Sequence, residues 1–195
     1  MAKIIGLTGG IGSGKTTIVN FIASKNVPVY IADEQGKRIM EQPKIIERIN
    51  ALFHNEVLLD NGKLDRKKIA LLVFNDPEKL EALNNIVHPA VAADFELFCK
   101  KFENEAIIVK ESAVLIESGA YKGCDAVVLV TAPQILRIER VMKRDNISKE
   151  EVLQRMKNQM SDEEKMQYAD FIIINIDWEE AQRQTEKILF QLLIE

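Results

Sequence analysis

The sequence predicts an α/β fold, a five-stranded parallel sheet flanked by helices. Five short apolar runs of strand composition recur along its 195 residues. Between them the apolar residues fall at helical spacing, and a glycine-rich turn joins the first run to the first helix. Strands that alternate with helical stretches point to a parallel sheet covered on both faces.

Lys3 to Leu7 reads as the first strand, and Thr16 to Ser24 as a helix with Ile18, Phe21 and Ile22 on one side. Val27 to Ile31 is the second strand, entered through Pro28; Asp33 follows at its carboxyl end as a candidate cap for a helix through Ile39. From there to about Glu105 the texture is helical, with Ile45, Ile46, Ile49, Leu52 and Phe53, then Ile69, Leu72 and Val73. Asp60-Asn61-Gly62 marks a turn between these groups. Asp76-Pro77 starts a helix, and His88-Pro89 is expected to break it. Strand character returns at Ala106 to Lys110 and at Ala126 to Thr131. Pro133 opens a helix to about Arg144, and Ser148-x-x-Glu151 and Ser161-x-x-Glu164 are capping-box frames that start two more. Phe171 to Ile174 is the last strand and Trp178 to Leu193 the last helix. One domain is expected: a core of about 1–33 and 106–195, with a strandless helical substrate lobe of about 34–105 inserted between strands two and three.

The turn itself needs a reason, since glycine weakens both strands and helices. Gly9-x-x-x-x-Gly14-Lys15-Thr16 matches the P-loop pattern in full, with strand before it and helix after. Backbone N–H groups of Gly9, Gly10, Ile11, Gly12, Ser13 and Gly14 can turn inward and cradle an anion. The following helix adds its unpaired first-turn donors, at Lys15, Thr16 and Thr17, and the positive end of its dipole. Lys15 brings a mobile charge for the outer phosphates, and the Thr16 hydroxyl a hard oxygen for Mg²⁺. The turn is expected to bind the triphosphate of a nucleotide.

Composition agrees with a globular nucleotide enzyme. The apolar fraction is 47% and the formal charge −4, without the basic footprint of a general nucleic-acid binder. Two cysteines (Cys99, Cys124) and two histidines (His54, His88) give no zinc spacing. Free thiols in a reducing cytoplasm are expected, with no signal peptide, no membrane span and a monomeric state.

Ligands of such sheets sit beyond the carboxyl ends of the strands, which gathers the P-loop, Asp33 and Glu111 at one edge. Asp33 is a helix cap or a base for an acceptor hydroxyl. Glu111 can hold Mg²⁺ through water, orient the nucleophile, or be a surface acid; Glu117 has no evident role. Arg137, Arg140 and Arg144 fall within about 60° of one another on a helix, as a lid stripe meeting phosphates or as a solvated face. That lid would span about 137–165. Lys63, Arg66, Lys67 and Lys68 form a basic cluster at a helix start, for an anionic substrate or for solvent. His88 reads as a structural histidine unless the lobe closes over it.

The ordered set of segments resembles the dephospho-coenzyme A kinase family over nearly the whole chain. It consists of GLTGGIGSGKTT, IAD ending at Asp33, DNGKLDRKKIALLVF around Arg66, LNNIVHP with His88-Pro89, VLIE ending at Glu117, RVMKRD with Arg140 and Arg144, then Gln159 and YADFIIIN. The resemblance implies a P-loop kinase fold that phosphorylates the ribose 3′-hydroxyl of dephospho-CoA with ATP and Mg²⁺, the last step of CoA synthesis. It implies that Asp33 faces the acceptor hydroxyl, that Arg140 is a lid arginine on the ATP phosphates, and that Arg66 and His88 lie in the lobe receiving the CoA moiety. Two positions depart from the family pattern: Ala113 stands where a proline is usual, and Arg137 where glutamine is frequent. The alternatives are a kinase for another small acceptor, such as a nucleoside monophosphate, and a non-catalytic nucleotide switch. The chain carries Asp33-Glu34-Gln35-Gly36 but no Asn-Lys-x-Asp guanine-reading motif.

Overall fold

The computed structural model describes residues 2–74 and 76–194. In chain order the elements begin with β1 (Lys3–Thr8), α1 (Lys15–Ser24), β2 (Val29–Ile31), α2 (Ala32–Ile39), α3 (Pro43–Leu52), α4 (Arg66–Phe74) and α5 (Pro77–Lys101). There follow β3 (Ile107–Glu111), β4 (Ala126–Thr131), α6 (Gln134–Asp145), α7 (Lys149–Lys157), α8 (Asp162–Met166), β5 (Phe171–Ile174) and α9 (Trp178–Ile194). The chain divides into two compact units, Met1–Ile31 with Phe102–Glu195, and Ala32–Lys101.

The first unit holds the sheet, with strand order β2-β3-β1-β4-β5 and every pairing parallel. Central strands of such sheets are buried on both faces and read as continuous apolar runs, which is how AVVLVT at β4 appears, buried at all six positions. Ile5, Leu7, Ile107, Val109, Val128, Val130 and Ile173 pack with Ile18, Val19 and Ile22 of α1 and Ala181, Ile188 and Leu192 of α9 in one apolar core. The alternate residues Ile108, Val127 and Leu129 are also buried, and α8 packs against β4. Gly6 weakens β1 in principle, but its position is closed by packing: a Cβ there would stand 2.6 Å from Leu115 and 2.9 Å from Cys124.

Strand ends differ from the expected ones by a residue or two. β2 begins at Val29, two residues later than expected, and β3 runs one residue further than expected, to Glu111. Glu111 is therefore a strand residue, in register with Leu7 of β1 and Ile31 of β2, and buried. Both capping boxes form: Ser148 and Glu151 close the start of α7, Ser161 and Glu164 that of α8.

The second unit is helical, around Ile39, Ile45, Ile49, Phe53, Val57, Leu64, Ile69 and Leu83. Asp76 caps α5 by accepting from the Lys79 N–H at 3.0 Å, and Gly62 takes φ 76° in the Asp60-Asn61-Gly62 turn. The expected break at His88-Pro89 does not occur, and α5 continues through Pro89. Proline removes one backbone bond from the ladder, but Ile86 and Val87 before it and Ala90 and Val91 after it pack into the same core. Burial on both sides outweighs the local penalty.

Candidate active site

The segment Gly9–Gly14 leaves the carboxyl end of the central strand β1 and turns into α1. Gly12 (φ 78°) and Gly14 (φ 92°) take the left-handed backbone that side-chain-bearing residues rarely adopt. Space is closed there as well. A Cβ on Gly12 would stand 2.5 Å from the Arg137 carbonyl oxygen, and one on Gly14 would run into the Asn175 amide.

The loop leaves a set of donors unused. The N–H groups of Gly12, Gly14 and Thr16 make no hydrogen bond among the described residues. The hydroxyls of Thr8 and Ser13 and Nη1 of Arg140 are buried and unpartnered among the described residues, and that Nη1 lies 3.8 Å from the Cβ position of Gly14. Lys15 bends back over the loop, its Nζ donating to the carbonyl oxygens of Gly9 at 2.6 Å and Gly10 at 3.3 Å. A buried donor without a partner costs about 1–3 kcal/mol, so several of them converging on one glycine loop fit a polyanionic ligand. Thr16 and Thr17 are exposed at the start of α1, where a hydroxyl can reach a hydrated cation. Among the described residues no cluster of three or more His, Cys, Asp or Glu could hold a metal. Hydroxyl oxygens at the loop without a carboxylate cluster among the described residues suit Mg²⁺ held chiefly by phosphates and water.

The three arginines of α6 do not share one role. Arg140 is the one whose unpartnered nitrogen faces the loop. Arg137 is buried; its Nε donates to the Ile11 carbonyl at 2.9 Å, and its Nη1 lies 2.7 Å from Asp162 Oδ1, off the line of a hydrogen bond. Asp162 Oδ2 in turn accepts from the Thr131 hydroxyl at the end of β4. Arg144 is exposed and pairs with its neighbour Asp145 at 2.7 Å, and Arg155 of α7 binds the same carboxylate at 2.8 Å. The expected common stripe is therefore broken: burial takes Arg137 and a local carboxylate takes Arg144.

Ile11 has its N–H bonded to Gln159 Oε1 at 2.8 Å, so that amide is not one of the free donors. Its side chain packs with Ile138, Val141 and Val152. Asn175, just past the end of β5, is buried and donates from Nδ2 to the Ser13 carbonyl at 2.8 Å. Reasoning from sequence gave no role to Asn175, Asp162 or Gln159. The strand-edge rule that gathers Glu111 would have gathered Asn175 too; Gln159 stood in the family resemblance without a role, and nothing local marks Asp162.

Glu117 belongs to a structural pair. It meets the fully buried Lys165 at 2.8 Å and accepts from the Met160 N–H, while Lys165 also donates to the Ala113 carbonyl at 3.1 Å. Burial alone would raise the Glu117 carboxyl, but hydrogen bonds headed by that from Lys165 outweigh it and hold the group below its usual range.

In the helical unit, Asp33 is not a cap, because α2 already begins at Ala32. It lies in the first turn, where the helix dipole favours an anion, and its carboxylate is exposed with no hydrogen bond among the described residues. Arg66 donates to the Lys37 carbonyl in the last turn of α2 at 2.8 Å and pairs with Glu41 at 2.9 Å. The basic start of α4 is offset by Asp65, which accepts from the N–H groups of Lys67 and Lys68. His88 is exposed on α5 without a partner among the described residues, contrary to the expected structural histidine.

The sequence profile described as dephospho-CoA kinase matches residues 3–180. The chain belongs to the dephospho-CoA kinase family. A dephospho-CoA kinase of Bacteroides fragilis is 41% identical over 175 residues, covering 90% of this chain and 85% of its own. The crystal structure of a Thermus thermophilus protein superposes with a TM-score of 0.91 at 36% identity, over 98% of both chains. The dephospho-CoA kinase of Campylobacter jejuni gives 0.64 at 25% identity, over 98% of this chain and 97% of its own. The fold is that of the P-loop kinases, as this family requires.

Proposed function

We propose that the chain transfers the γ-phosphoryl group of ATP to the ribose 3′-hydroxyl of dephospho-CoA, forming CoA and ADP in the last step of CoA synthesis. Membership of the dephospho-CoA kinase family supports the acceptor. The observation that carries the phosphate half is the set of unpartnered donors converging on Gly9–Thr17.

Catalysis of this kind is positioning and electrostatics. The free N–H groups of Gly12, Gly14 and Thr16 receive the phosphate oxygens, and Lys15 exchanges its loop carbonyls for the outer phosphates. Arg140 donates to the group in transfer, and Arg144 joins it on the phosphates when it leaves Asp145. Mg²⁺, held by the Thr16 hydroxyl with Glu111 acting through water, would neutralise charge between the outer phosphates. Asp33 accepts the proton of the acceptor hydroxyl. Arg66 and His88 bind the acceptor in the helical lobe, and α6–α8 serve as a lid that excludes water. Cys99 and Cys124 are not joined in a disulfide, which suits a cytoplasmic protein, and we read it as a monomer. No helix among the described residues is long and apolar enough to cross a membrane.

The test is ADP release from ATP and Mg²⁺ with and without dephospho-CoA, with product mass measured. Acceptor-dependent ADP and a gain of one phosphoryl group are expected. ADP release indifferent to dephospho-CoA would overturn the acceptor, and a nucleoside monophosphate panel would then be the next assay.

A further inference from the structure

The free N–H groups of Gly12 and Gly14 each follow a carbonyl that a distant side chain holds. Arg137 Nε takes the Ile11 oxygen at 2.9 Å, from 126 residues away in sequence. Asn175 Nδ2 takes the Ser13 oxygen at 2.8 Å, from 162 residues away. No peptide bond among the described residues is cis. In a planar trans peptide the C=O and the following N–H point in opposite directions. A donor that fixes the carbonyl on one side therefore fixes the next N–H on the other. The 11–12 plane ends in the Gly12 N–H and the 13–14 plane in the Gly14 N–H, and both are unpartnered among the described residues.

We propose that Arg137 and Asn175 are positioning residues for ATP, each aiming one backbone donor of the cradle by holding the carbonyl of the same peptide plane. Neither touches phosphate. The inference rests on the phosphate-cradle reading above. Both glycines sit at positive φ, where the peptide can flip at little steric cost. Without an outside hold, the carbonyl could turn inward and present an acceptor to an anion. The two holds are themselves braced. Asp162 sits against Arg137 at 2.7 Å and is tied to Thr131, and Gln159 fixes the Ile11 N–H on the preceding plane. The Asn175 N–H donates to the Thr131 carbonyl at 2.8 Å, so both arms anchor on the end of β4. Arg137 reaches Ile11 rather than a phosphate, which gives the residue a use at a position where the family frequently has glutamine.

The experiment follows the amide protons of Gly12 and Gly14 in ¹⁵N-labelled full-length protein titrated with ADP, alongside calorimetric ADP affinity. In the wild type both protons shift downfield as they meet phosphate. Arg137→Met combined with Asp162→Asn, which leaves no buried carboxylate unpaired, removes the Gly12 shift and keeps that of Gly14. Asn175→Asp sets an acceptor against the Ser13 oxygen and does the reverse; Asn175→Leu repeats this test without a buried charge. ADP affinity falls roughly 10- to 100-fold in each, the weight of a hydrogen bond to a charged group. Arg137→Lys, which keeps a donor for Ile11, recovers the Gly12 shift. Folded variants that retain both shifts and wild-type affinity would overturn the proposal. A wild type that does not bind ADP would overturn the cradle reading itself, whatever acceptor the enzyme uses.

Discussion

Ile11 at the tip of the phosphate loop is held on three sides, by Gln159 at its N–H, by Arg137 at its carbonyl and by Ile138, Val141 and Val152 around its side chain. Asp33, at the start of α2, is exposed with its carboxylate unbonded among the described residues. In the proposed reaction the two regions differ in what each must do. A phosphate site works by fixed dipoles that need no reorganisation when charge arrives, so its backbone is braced from remote strands and helices. A group that takes a proton from an incoming hydroxyl must stay unspent until the acceptor is bound. Bracing marks the first kind of residue, and freedom the second.

The largest expected effect tests that division directly. Arg140→Met removes the unpartnered nitrogen beside Gly14 and should lower turnover by roughly 10³ to 10⁵, with ADP bound more weakly as well. Asp33→Asn should lower turnover by about 10² to 10⁴ and leave ADP affinity unchanged. Steady-state rates and calorimetric ADP titrations of the two variants separate them. An Asp33→Asn enzyme with wild-type turnover removes that carboxylate from the mechanism.

The sheet-bearing unit has a second buried ion pair, Lys165–Glu117, whose hydrogen bonds go to Met160 and Ala113 rather than to the loop, and it sharpens the comparison by acting on stability. Lys165→Met strands Glu117 and the Ala113 carbonyl. It should cost on the order of 2 to 3 kcal/mol in denaturant unfolding, below the value for a fully buried pair because Glu117 is partly exposed, with KM for ATP unchanged. The folded-state pKa of Glu117 is lowered. Its contribution is therefore complete above the ordinary glutamate range and is lost as pH falls through the lowered value. Glu117→Gln should flatten that acid limb of the stability profile.

The sheet was legible in the sequence because its strands are unbroken apolar runs, AVVLVT, which is buried at every position, and FIII, an edge strand that keeps the run although Ile172 and Ile174 are exposed. The loop was legible because its chemistry is local: six glycine-spaced positions, a lysine and a threonine. Pro89 misled, since its cost is local while the compensating burial of Ile86, Val87, Ala90 and Val91 comes from three other helices. The fates of Arg137, Arg140 and Arg144 were hidden for the same reason. Helical spacing gives an angle around an axis, and only the fold reveals that Asp162 waits for the first and Asp145 for the third. Asn175 stood in plain view after FIII, but the bond to Ser13 spans most of the chain.

Arg66 supplies the smallest effect and the finest cut. It is half exposed, as is its partner Glu41, and the guanidinium also closes the last turn of α2 at the Lys37 carbonyl. An exposed pair of this sort contributes about 0 to 1 kcal/mol, so Arg66→Gln should barely move the unfolding midpoint. If its purpose were only to finish α2, nothing else would change. As a residue that trades Glu41 for an anionic acceptor, it should raise KM for dephospho-CoA roughly tenfold, the loss of one charge-assisted bond, and leave KM for ATP where it was. Glu41→Gln then acts in the opposite sense, because it frees the guanidinium beforehand and should lower KM for dephospho-CoA. A pair of variants that shift stability together and neither KM would return Arg66 to a helix-capping role.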